Sequence, residues 1–569
     1  MPRRGLRRFT VISIVLLAAT VVFAGDRTGV PARKDYSQVA AALERMIQHE
    51  LQDKKLPAIS VALVDGNETV YARGFGYADP ARKIPATADT VYRIGSVSKL
   101  FTDIGIMQMA ERGKVDIDAP VSTYIPDFKP ANQFAKPITL RQLMTHRAGI
   151  LREPIVGHYF DDTEPSIAAT VRSLNGYPLV YEPETRVKYS NAGITVVGYA
   201  LESLNRQPFA VYMKRAVLGP IGMQSSTFAL CPEITKKLAR AYIWTYGGQI
   251  FDAPTFEPGL VPAGSLYSTV NDLGRFASVL LSHGRGPKGQ VIKSETLDRM
   301  YEPQFAQREP INFGIGFMLG NLDGHRVVGH GGAVYGFATE FEVLPDDNVG
   351  AVAITTMDSA NGVTKHIVQT ALRMMLAIKA GKTLPEISFT DPIPAEIANS
   401  IAGRYGEQDK AVELFEQNGE LCFTRLIGGA QVRVRKLGDA LITDDRLGYG
   451  TKITPLTDAI QIGSEVLPRV AVQTARAPED WKGLIGEYGW DYNILRIFER
   501  DGHLTSLIEW YEYEPLDQVS KDVFRYPKRG LYDNELLTFK RDAKGNATEV
   551  AVGGVVFKRR SSQEVKWHP

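Results

Sequence analysis

The chain has 569 residues, well above the length of about 250–300 residues at which a single hydrophobic core stops growing, so we expect several domains. Hydrophobic residues make up 44% and charged residues 23%, a globular composition that excludes a fibrous or largely disordered protein. The 66 Lys and Arg residues nearly balance 64 Asp and Glu residues, so no basic excess indicates nucleic acid, and two cysteines exclude a disulfide scaffold.

A signal peptide is predicted at positions 1–24. Four arginines precede an apolar run from Phe9 to Ala24, and Val22 and Ala24 are the small residues typical of a cleavage site. The run is shorter than the roughly 20 residues that span a bilayer. We therefore expect cleavage after Ala24, an exported protein that is periplasmic or secreted, and no membrane span afterwards.

The next elements are read from residue patterning. Residues 56–79 alternate β-branched residues around an Asp-Gly pair, which predicts a β-hairpin. A helix is predicted from near Ser96 to about Arg112, where Gly113 provides a stop. A second hairpin is predicted at residues 341–356, and a long helix at about residues 362–379.

The C-terminal third contains an internal repeat. Residues 401–406 match 484–489, and residues 414–421 match 497–504, with the same separation along the chain in both cases. Short strand-like runs replace long helical patterns here, so we predict two copies of one small antiparallel barrel. The predicted boundaries are residues 30–382 for the first domain, 383–397 for a linker, 398–476 for repeat 1 and 477–562 for repeat 2.

Ser96 and Lys99, three residues apart, form the most specific chemical motif in the sequence. Residues three apart share one face of a helix, so the Lys99 amine is expected near the Ser96 hydroxyl. A serine becomes a good nucleophile when a neighbouring base takes its proton, and lysine is such a base when burial or nearby cations lower its pKa. The Ser96 N–H, in the first turn, is free to face an oxyanion. The plainer alternative is a helix-capping serine followed by a solvated lysine.

Two further motifs carry groups that suit the same chemistry. Tyr189 offers a phenol that can shuttle a proton, and Asn191 offers an amide that can both donate and accept. His330 stands in a run of glycines that lets backbone and substrate approach closely, and it can donate a hydrogen bond or carry positive charge. Taken singly, each motif is also compatible with an ordinary turn.

In order and spacing, Ser96, Tyr189 and His330 resemble the three motifs of the serine β-lactamase and penicillin-binding-protein-like family. Within it, the chain looks most similar to the class C-related group of DD-carboxypeptidases, D-aminopeptidases and family VIII esterases. The resemblance covers about residues 35–378. Its other matching stretches are residues 92–95, 113–121, 139–150 and 262–273.

This resemblance implies a fold and a set of roles. The fold class is α+β: a β-lactamase-like domain, with an antiparallel sheet flanked by helices plus a helical subdomain, followed by two small all-β barrel-like domains. The resemblance implies that Ser96 is acylated, that Lys99 is the base and that Tyr189 relays the proton to the leaving group. The remaining implied site residues are Asn191, His330 and Gly332 for substrate binding, and the backbone N–H groups of Ser96 and Ala333 for the oxyanion hole.

The third motif departs from that of β-lactamases proper, which have Lys-Thr-Gly where this chain has His330 and two glycines. A histidine, with a pKa near 6.5, is mostly neutral at pH 7 and attracts a free carboxylate less strongly than a lysine does. This difference favours peptidase or esterase activity over antibiotic hydrolysis. The paired β-domains are similar to those of D-aminopeptidases and favour the same conclusion.

The sequence therefore predicts an exported serine hydrolase that acts through an acyl-enzyme. The expected substrates are peptide amides (D-amino-acid peptides, of the aminopeptidase or DD-peptidase type) or small esters. No cofactor, no metal and no nucleic acid partner are expected. The alternative is a catalytically silent penicillin-binding-like protein that binds cell-wall peptides or a protein partner.

Overall fold

The computed structural model describes residues 29–246, 248–305, 312–407, 410–426, 429–472, 478–509 and 511–560. The predicted signal peptide lies outside these residues. Among the helices of the described ranges, none combines the length and the apolar composition needed to cross a membrane.

An eight-stranded antiparallel sheet lies at the centre of the N-terminal domain. Both predicted hairpins belong to it, and they lie side by side because strand Ala58–Asp65 pairs with strand Val349–Thr355. In sheet order, the strands are Asn312–Phe313, Met318–Leu322, His325–Val334, Phe337–Leu344, Val349–Thr355, Ala58–Asp65, Glu68–Asp79 and Ile84–Pro85.

Helices cover both faces of this sheet, which follows from its residue pattern. Along strand Ala58–Asp65, the side chains of Ile59, Val61 and Leu63 belong to one hydrophobic core, and Ala62 and Val64 belong to the other. Successive strand residues point to opposite faces, so a continuous apolar run predicts a strand buried on both sides. Helices Ser37–Asp53 and Asn361–Lys379 pack on the first face and helix Val270–Leu281 on the second.

The predicted helix after Ser96 starts with a 3-10 turn, Gly95–Val97, and continues as α-helix Ser98–Glu111. It is buried along most of its length within the helical part of the domain. The other helices are Leu140–Met144, Ile167–Arg172, Asn191–Asn205, Phe209–Met213, Gly219–Ile221, Pro232–Thr235, Val261–Gly264 and Ser294–Met300, with 3-10 turns Lys34–Tyr36 and Val121–Thr123 and a π turn Lys214–Leu218. The N-terminal domain also contains three pairs of short strands: Tyr92–Arg93 with Tyr267–Ser268, Tyr242–Trp244 with Ile250–Asp252, and Arg285–Gly286 with Gly289–Gln290.

Two eight-stranded antiparallel sheets follow, and we call them the first and the second barrel. The first barrel is closed, and the second is nearly closed, with Tyr488 and Arg559 forming a bridge between its ends. The first comprises strands Gly403–Tyr405, Val412–Gln417, Glu420–Arg425, Val432–Leu437, Ala440–Asp444, Tyr449–Leu456, Ala459–Ile462 and Glu465–Val470. The second comprises Gly486–Trp490, Asn493–Arg500, His503–Ile508, Glu512–Ser520, Val523–Arg525, Leu536–Arg541, Ala547–Val552 and Val555–Lys558, after a 3-10 turn Glu479–Trp481.

The predicted fold class is thus confirmed: an α+β domain is followed by two all-β barrel-like sheets. The exact domain boundaries stay predictions. Helix Ala395–Ile401 begins inside residues 383–397, which the sequence analysis assigned to a linker.

Candidate active site

Ser96 lies where a turn, a helix and a strand meet. The preceding residue, Gly95, has φ +55°, and a Cβ built on it would lie 2.7 Å from the backbone nitrogen of Ala333. Only glycine fits such a conformation and such a close approach. This packing places the turn that carries Ser96 directly against strand His325–Val334, so the two backbone segments predicted to form the oxyanion hole lie side by side.

The side chains of the first two motifs converge on the Ser96 hydroxyl. Lys99 Nζ lies 3.0 Å from Ser96 Oγ, and the Tyr189 hydroxyl donates to Ser96 Oγ at 2.8 Å. Lys99 Nζ also donates to Asn191 Oδ1 at 2.9 Å and to the Ala263 carbonyl at 2.8 Å. A neutral amine has two N–H groups and one lone pair. Asn191 and Ala263 accept those two hydrogens, which leaves the lone pair for the proton of Ser96.

Burial and charge make Lys99 a suitable base. Its side chain is 1% exposed, and burial, followed by the positive charge of Arg152, lowers the pKa of Lys99 to about 7. Burial raises the pKa of Tyr189 to about 12, so the phenol keeps its proton at neutral pH. The Lys99 nitrogen and the Arg152 guanidinium lie over the Tyr189 ring, at 4.9 and 5.7 Å from its centroid.

His330 lines the cavity at the third motif. Its Nδ1 lies 2.5 Å from the Gly331 carbonyl, which can only accept, so Nδ1 carries the hydrogen. Burial and the positive charge of Lys99 lower the pKa of His330 to about 3. Its Nε2 is buried and accepts no hydrogen bond from the described residues. The neutral ring therefore carries its lone pair on Nε2.

Gly332 allows the strand to approach the nucleophile's turn. A Cβ on Gly332 would lie 2.1 Å from the Ile94 carbonyl oxygen, so any other residue would push the strand away. Its own carbonyl accepts a hydrogen bond from Asn361 Nδ2 at 3.1 Å. Gly332 and Ala333 both line the same cavity as Ser96, so the structure brings together every residue that the sequence analysis singled out for the site.

Arg152 and Glu153 belong to this site, although the sequence analysis did not select them. Glu153 is 2% exposed, and its Oε1 accepts a hydrogen bond from Asn191 Nδ2 at 2.6 Å. Arg152 lines the cavity, and its Nε lies 3.5 Å from Glu153 Oε1. The sequence did offer a signal for them, because this Arg-Glu pair begins two residues after Ile150, the end of the matching stretch 139–150.

The second barrel closes the cleft. The cavity at Ser96 has a volume of about 540 Å³, within the range of about 300–1,000 Å³ typical of small-molecule sites. Its residues from the second barrel are Asn493, Glu509, Tyr511, Glu512, Arg529, Gly530, Leu531 and Asp533. No local pattern indicated them, because they lie far along the chain from the motifs that they face.

The arrangement holds the Ser96 hydroxyl against an amine and a phenol, groups that can act as a base and as a proton relay. Within the described ranges, no cluster of three or more His, Cys, Asp or Glu residues is placed to hold a metal ion. The chemistry that the residues support is transfer of an acyl group to Ser96.

Comparison with known proteins gives a family match over the N-terminal domain. The family model described as Beta-lactamase matches residues 43–370. Protein flp of Staphylococcus aureus (strain N315) is 23% identical over 318 residues, which cover 56% of this chain and 63% of that protein. Beta-lactamase-like protein 2 of Dictyostelium discoideum is 28% identical over 281 residues, 48% of this chain and 49% of that protein. The chain therefore matches less than two thirds of the length of these relatives.

Two solved structures share the fold. The octameric penicillin-binding protein homologue from Pyrococcus abyssi has a TM-score of 0.54 at 21% identity, covering 83% of this chain and 99% of that one. EstCE1, described as a hydrolase with promiscuous acyltransferase activity, has a TM-score of 0.52 at 21% identity, covering 59% of this chain and 98% of that one. At these identities the likeness concerns the fold alone.

Proposed function

The chain belongs to the beta-lactamase family, and on that premise we propose that it is a serine hydrolase that acts through an acyl-enzyme. The observation that carries the proposal is the Ser96 hydroxyl held between a buried amine and a half-buried phenol. Lys99 takes the Ser96 proton as Oγ attacks the substrate carbonyl carbon. Tyr189 then passes a proton to the departing nitrogen or oxygen and regains one from Lys99. Water hydrolyses the resulting ester, which restores Ser96.

We propose that the preferred substrates are short and carry a free amine. The second barrel closes one side of the cavity, which favours short substrates. Asp358 and Glu512 line the cavity, and neither carboxyl has an ion-pair partner among the described residues. Asp358 Oδ1 accepts from the Gly336 N–H at 2.9 Å, and the charge of Arg152 acts on Glu512. His330 Nε2 and Asn493 Oδ1, also in the lining, are buried acceptors that receive no hydrogen bond from the described residues. Two carboxyls without an ion-pair partner and two acceptors without a donor match an ammonium group, which supports an aminopeptidase. The choice of D-amino-acid peptides rests on the resemblance to D-aminopeptidases alone.

The first experiment tests whether Ser96 forms a covalent adduct. The full-length protein is incubated with a fluorescent fluorophosphonate, and the labelled peptide is mapped by mass spectrometry. We expect one adduct per chain, at Ser96, and none in the Ser96→Ala variant. Absence of an adduct in the folded wild-type protein would contradict the proposal and favour the catalytically silent binding protein.

A second experiment separates substrate classes. Turnover is compared for D-alanine p-nitroanilide, its N-acetyl derivative, p-nitrophenyl butyrate and nitrocefin. We expect the free-amine anilide to be hydrolysed with a higher kcat/KM than its acetylated partner, because only the former has the ammonium group. Equal values for the two anilides would exclude amine recognition, and fastest turnover of the butyrate would favour an esterase.

We also propose that the protein is exported, and this rests on the sequence of residues 1–24 alone. Export predicts a mature chain that begins at Gly25. Mass spectrometry of the protein from the extracytoplasmic fraction checks this, and an intact N-terminus would contradict it.

A further inference from the structure

The segment that carries Arg152 joins the second barrel to the catalytic lysine. On one side, Glu153 accepts from Asn191, which in turn accepts from Lys99. On the other side, the backbone N–H of Arg152 donates to Glu535 Oε1 of the second barrel at 2.7 Å. The chain of contacts from the barrel to the Lys99 amine is therefore continuous and consists of buried polar groups.

The same barrel carboxylate also holds the segment that leads into Tyr189. Glu535 Oε1 lies 2.7 Å from Lys188 Nζ, whose side chain is fully buried. Lys188 Nζ donates as well to the Asp533 carbonyl at 3.0 Å. One side chain of the second barrel thus contacts both chain segments that place the base and the proton relay. A buried charge of this kind needs its partner, because desolvation without compensation is costly.

The guanidinium of Arg152 is held by the second barrel too. Glu509 Oε1 lies 3.7 Å from Arg152 Nη2 and accepts from the Tyr532 hydroxyl at 3.2 Å. The Tyr532 ring lies 5.7 Å from the guanidinium, the same distance as the Tyr189 ring on the site side. The cation is therefore fixed between two aromatic rings, one of which also contacts Lys99.

Among the charged groups around Lys99, Arg152 opposes its protonation most strongly. After burial, the positive charge of Arg152 is the largest cause of the lowered pKa of Lys99, while Glu153 and Asp103 act in the opposite direction. The titratable and charged groups that face Lys99 come from its own helix, from the loop at residues 146–153, from the segment before helix Asn191–Asn205 and from strand His325–Val334: Asp103, His146, Arg152, Glu153, Tyr189 and His330.

We propose that Arg152 is a positioning residue of the reaction, held by Glu509 and Glu535 of the second barrel so that its positive charge keeps Lys99 in the free-base form. The inference rests on the proposed function, because it assigns a role in the acylation of Ser96. In this arrangement, the second barrel is part of the catalytic apparatus although it contributes no reacting atom.

The test measures the rate of fluorophosphonate labelling of the full-length protein from pH 5 to pH 10. In the wild type we expect the rate to rise with pH through about 7, where Lys99 loses its proton. In Arg152→Gln the loss of a nearby cation raises the pKa of Lys99, so the rise moves up by about 1–3 pH units, and labelling at pH 7 is slower by about fivefold or more. Arg152→Lys restores the charge, and we expect the profile to return toward that of the wild type.

Two matched variants test the part played by the barrel. Glu535→Ala removes the acceptor for the Arg152 N–H and the counterion of Lys188, so the profile is expected to move upward as well. Asp444→Ala breaks a comparable contact in the first barrel, 2.6 Å from buried Lys54, and should leave the profile in place. Asp444→Ala controls for the loss of a buried carboxylate away from the site, and thermal unfolding compares the stabilities and confirms that each variant is folded.

The outcomes distinguish the inference from the function on which it rests. Failure of the wild type to label at Ser96 would overturn the proposed function and the inference together. Labelling with an unmoved pH profile in Arg152→Gln would overturn the inference alone. If Arg152→Gln does not fold, Glu535→Ala decides: an upward shift supports the inference, and a profile that coincides with that of Asp444→Ala overturns it.

Discussion

The two barrels have the same eight-stranded fold, but they differ in whether their residues line the cleft. In the first, the Tyr405 hydroxyl donates to the Ile401 carbonyl at 2.6 Å; in the second, the Tyr488 hydroxyl donates to the Leu484 carbonyl at the same distance. The constant separation of the sequence repeat also relates strand Glu420–Arg425 to strand His503–Ile508. The two barrels therefore share this tyrosine contact and this strand at equivalent positions.

The copies differ in what they dock against. The first barrel neutralises buried Lys54 with Asp444, at a distance from Ser96, and none of its described residues lines the cavity. The second barrel neutralises buried Lys188 with Glu535 and supplies residues to the cleft. Directly after the matching strands, the first copy has Leu426 where the second has Glu509. The loop at the end of this shared strand therefore lines the site in the second barrel, whereas the matching loop of the first barrel does not.

The largest contrast is expected in stability. Glu535→Ala leaves Lys188 buried without its carboxylate, which should destabilise the protein by about 3–5 kcal/mol. Asp444→Ala should destabilise it less, because Lys54 keeps Glu50 at 3.0 Å and Asp53 at 3.1 Å. Urea unfolding of both variants measures the difference, and equal losses would show that the two docking contacts are equivalent.

A second contrast concerns substrate affinity. Glu512→Gln keeps an oxygen acceptor but removes a carboxylate from the cavity, so we expect KM for D-alanine p-nitroanilide to rise about tenfold, the loss of a charge-assisted hydrogen bond. The matched control is Glu416→Gln in the first barrel, where the carboxylate accepts from the Gly419 N–H in a turn. KM should be unchanged in the control. A rise in both variants would contradict a role specific to the second barrel.

A third measurement tests what the copies share. Tyr405→Phe and Tyr488→Phe each remove one buried hydroxyl that donates to a carbonyl and accepts from an arginine, Arg469 at 2.9 Å and Arg559 at 3.4 Å. We expect each to lower the free energy of unfolding by about 1–2 kcal/mol, because two hydrogen bonds are lost. Unequal losses, measured by urea unfolding, would show that the repeated contact is not equivalent in the two barrels.

The smallest effect is expected in the pH dependence of amine binding. Burial and the charge of Glu509 raise the pKa of Glu512 to about 7, and burial raises that of Asp358 to about 7. Each carboxyl is neutral below its pKa and negative above it, so between pH 6 and pH 8 the ionised fraction rises from about one tenth to about nine tenths. KM for the amine substrate should fall over this interval, while KM for p-nitrophenyl butyrate should not. A parallel fall for both would attribute the change to another group.

The sequence alone predicts a feature of the fold or site where the residue pattern behind it is local or repeated. Ser96 and Lys99 are one helical turn apart, so their contact follows from spacing. The barrels were found because two blocks recur with one constant separation. Tyr189 and His330 needed the resemblance to a family, since the fold brings them to Ser96 from distant parts of the chain.

The second barrel's part in the site was not predictable in this way. Arg152 and Glu535 are 383 residues apart, and their contact depends on how a complete barrel packs against a complete α+β domain. The position of the hydrogen on the His330 ring was not predictable from the sequence either. Its ring can donate or accept, and the Gly331 carbonyl decides which nitrogen carries the hydrogen.

Because buried Lys188 needs Glu535 as its partner, the order of synthesis limits when the site can fold. Synthesis delivers the lysine long before Glu535, and during that interval its ammonium group has no carboxylate to replace water. The segment that leads into Tyr189 cannot settle into its dry position until the C-terminal sheet has been made and has folded. A chain whose C-terminal part is still being synthesised therefore holds an unfinished cleft.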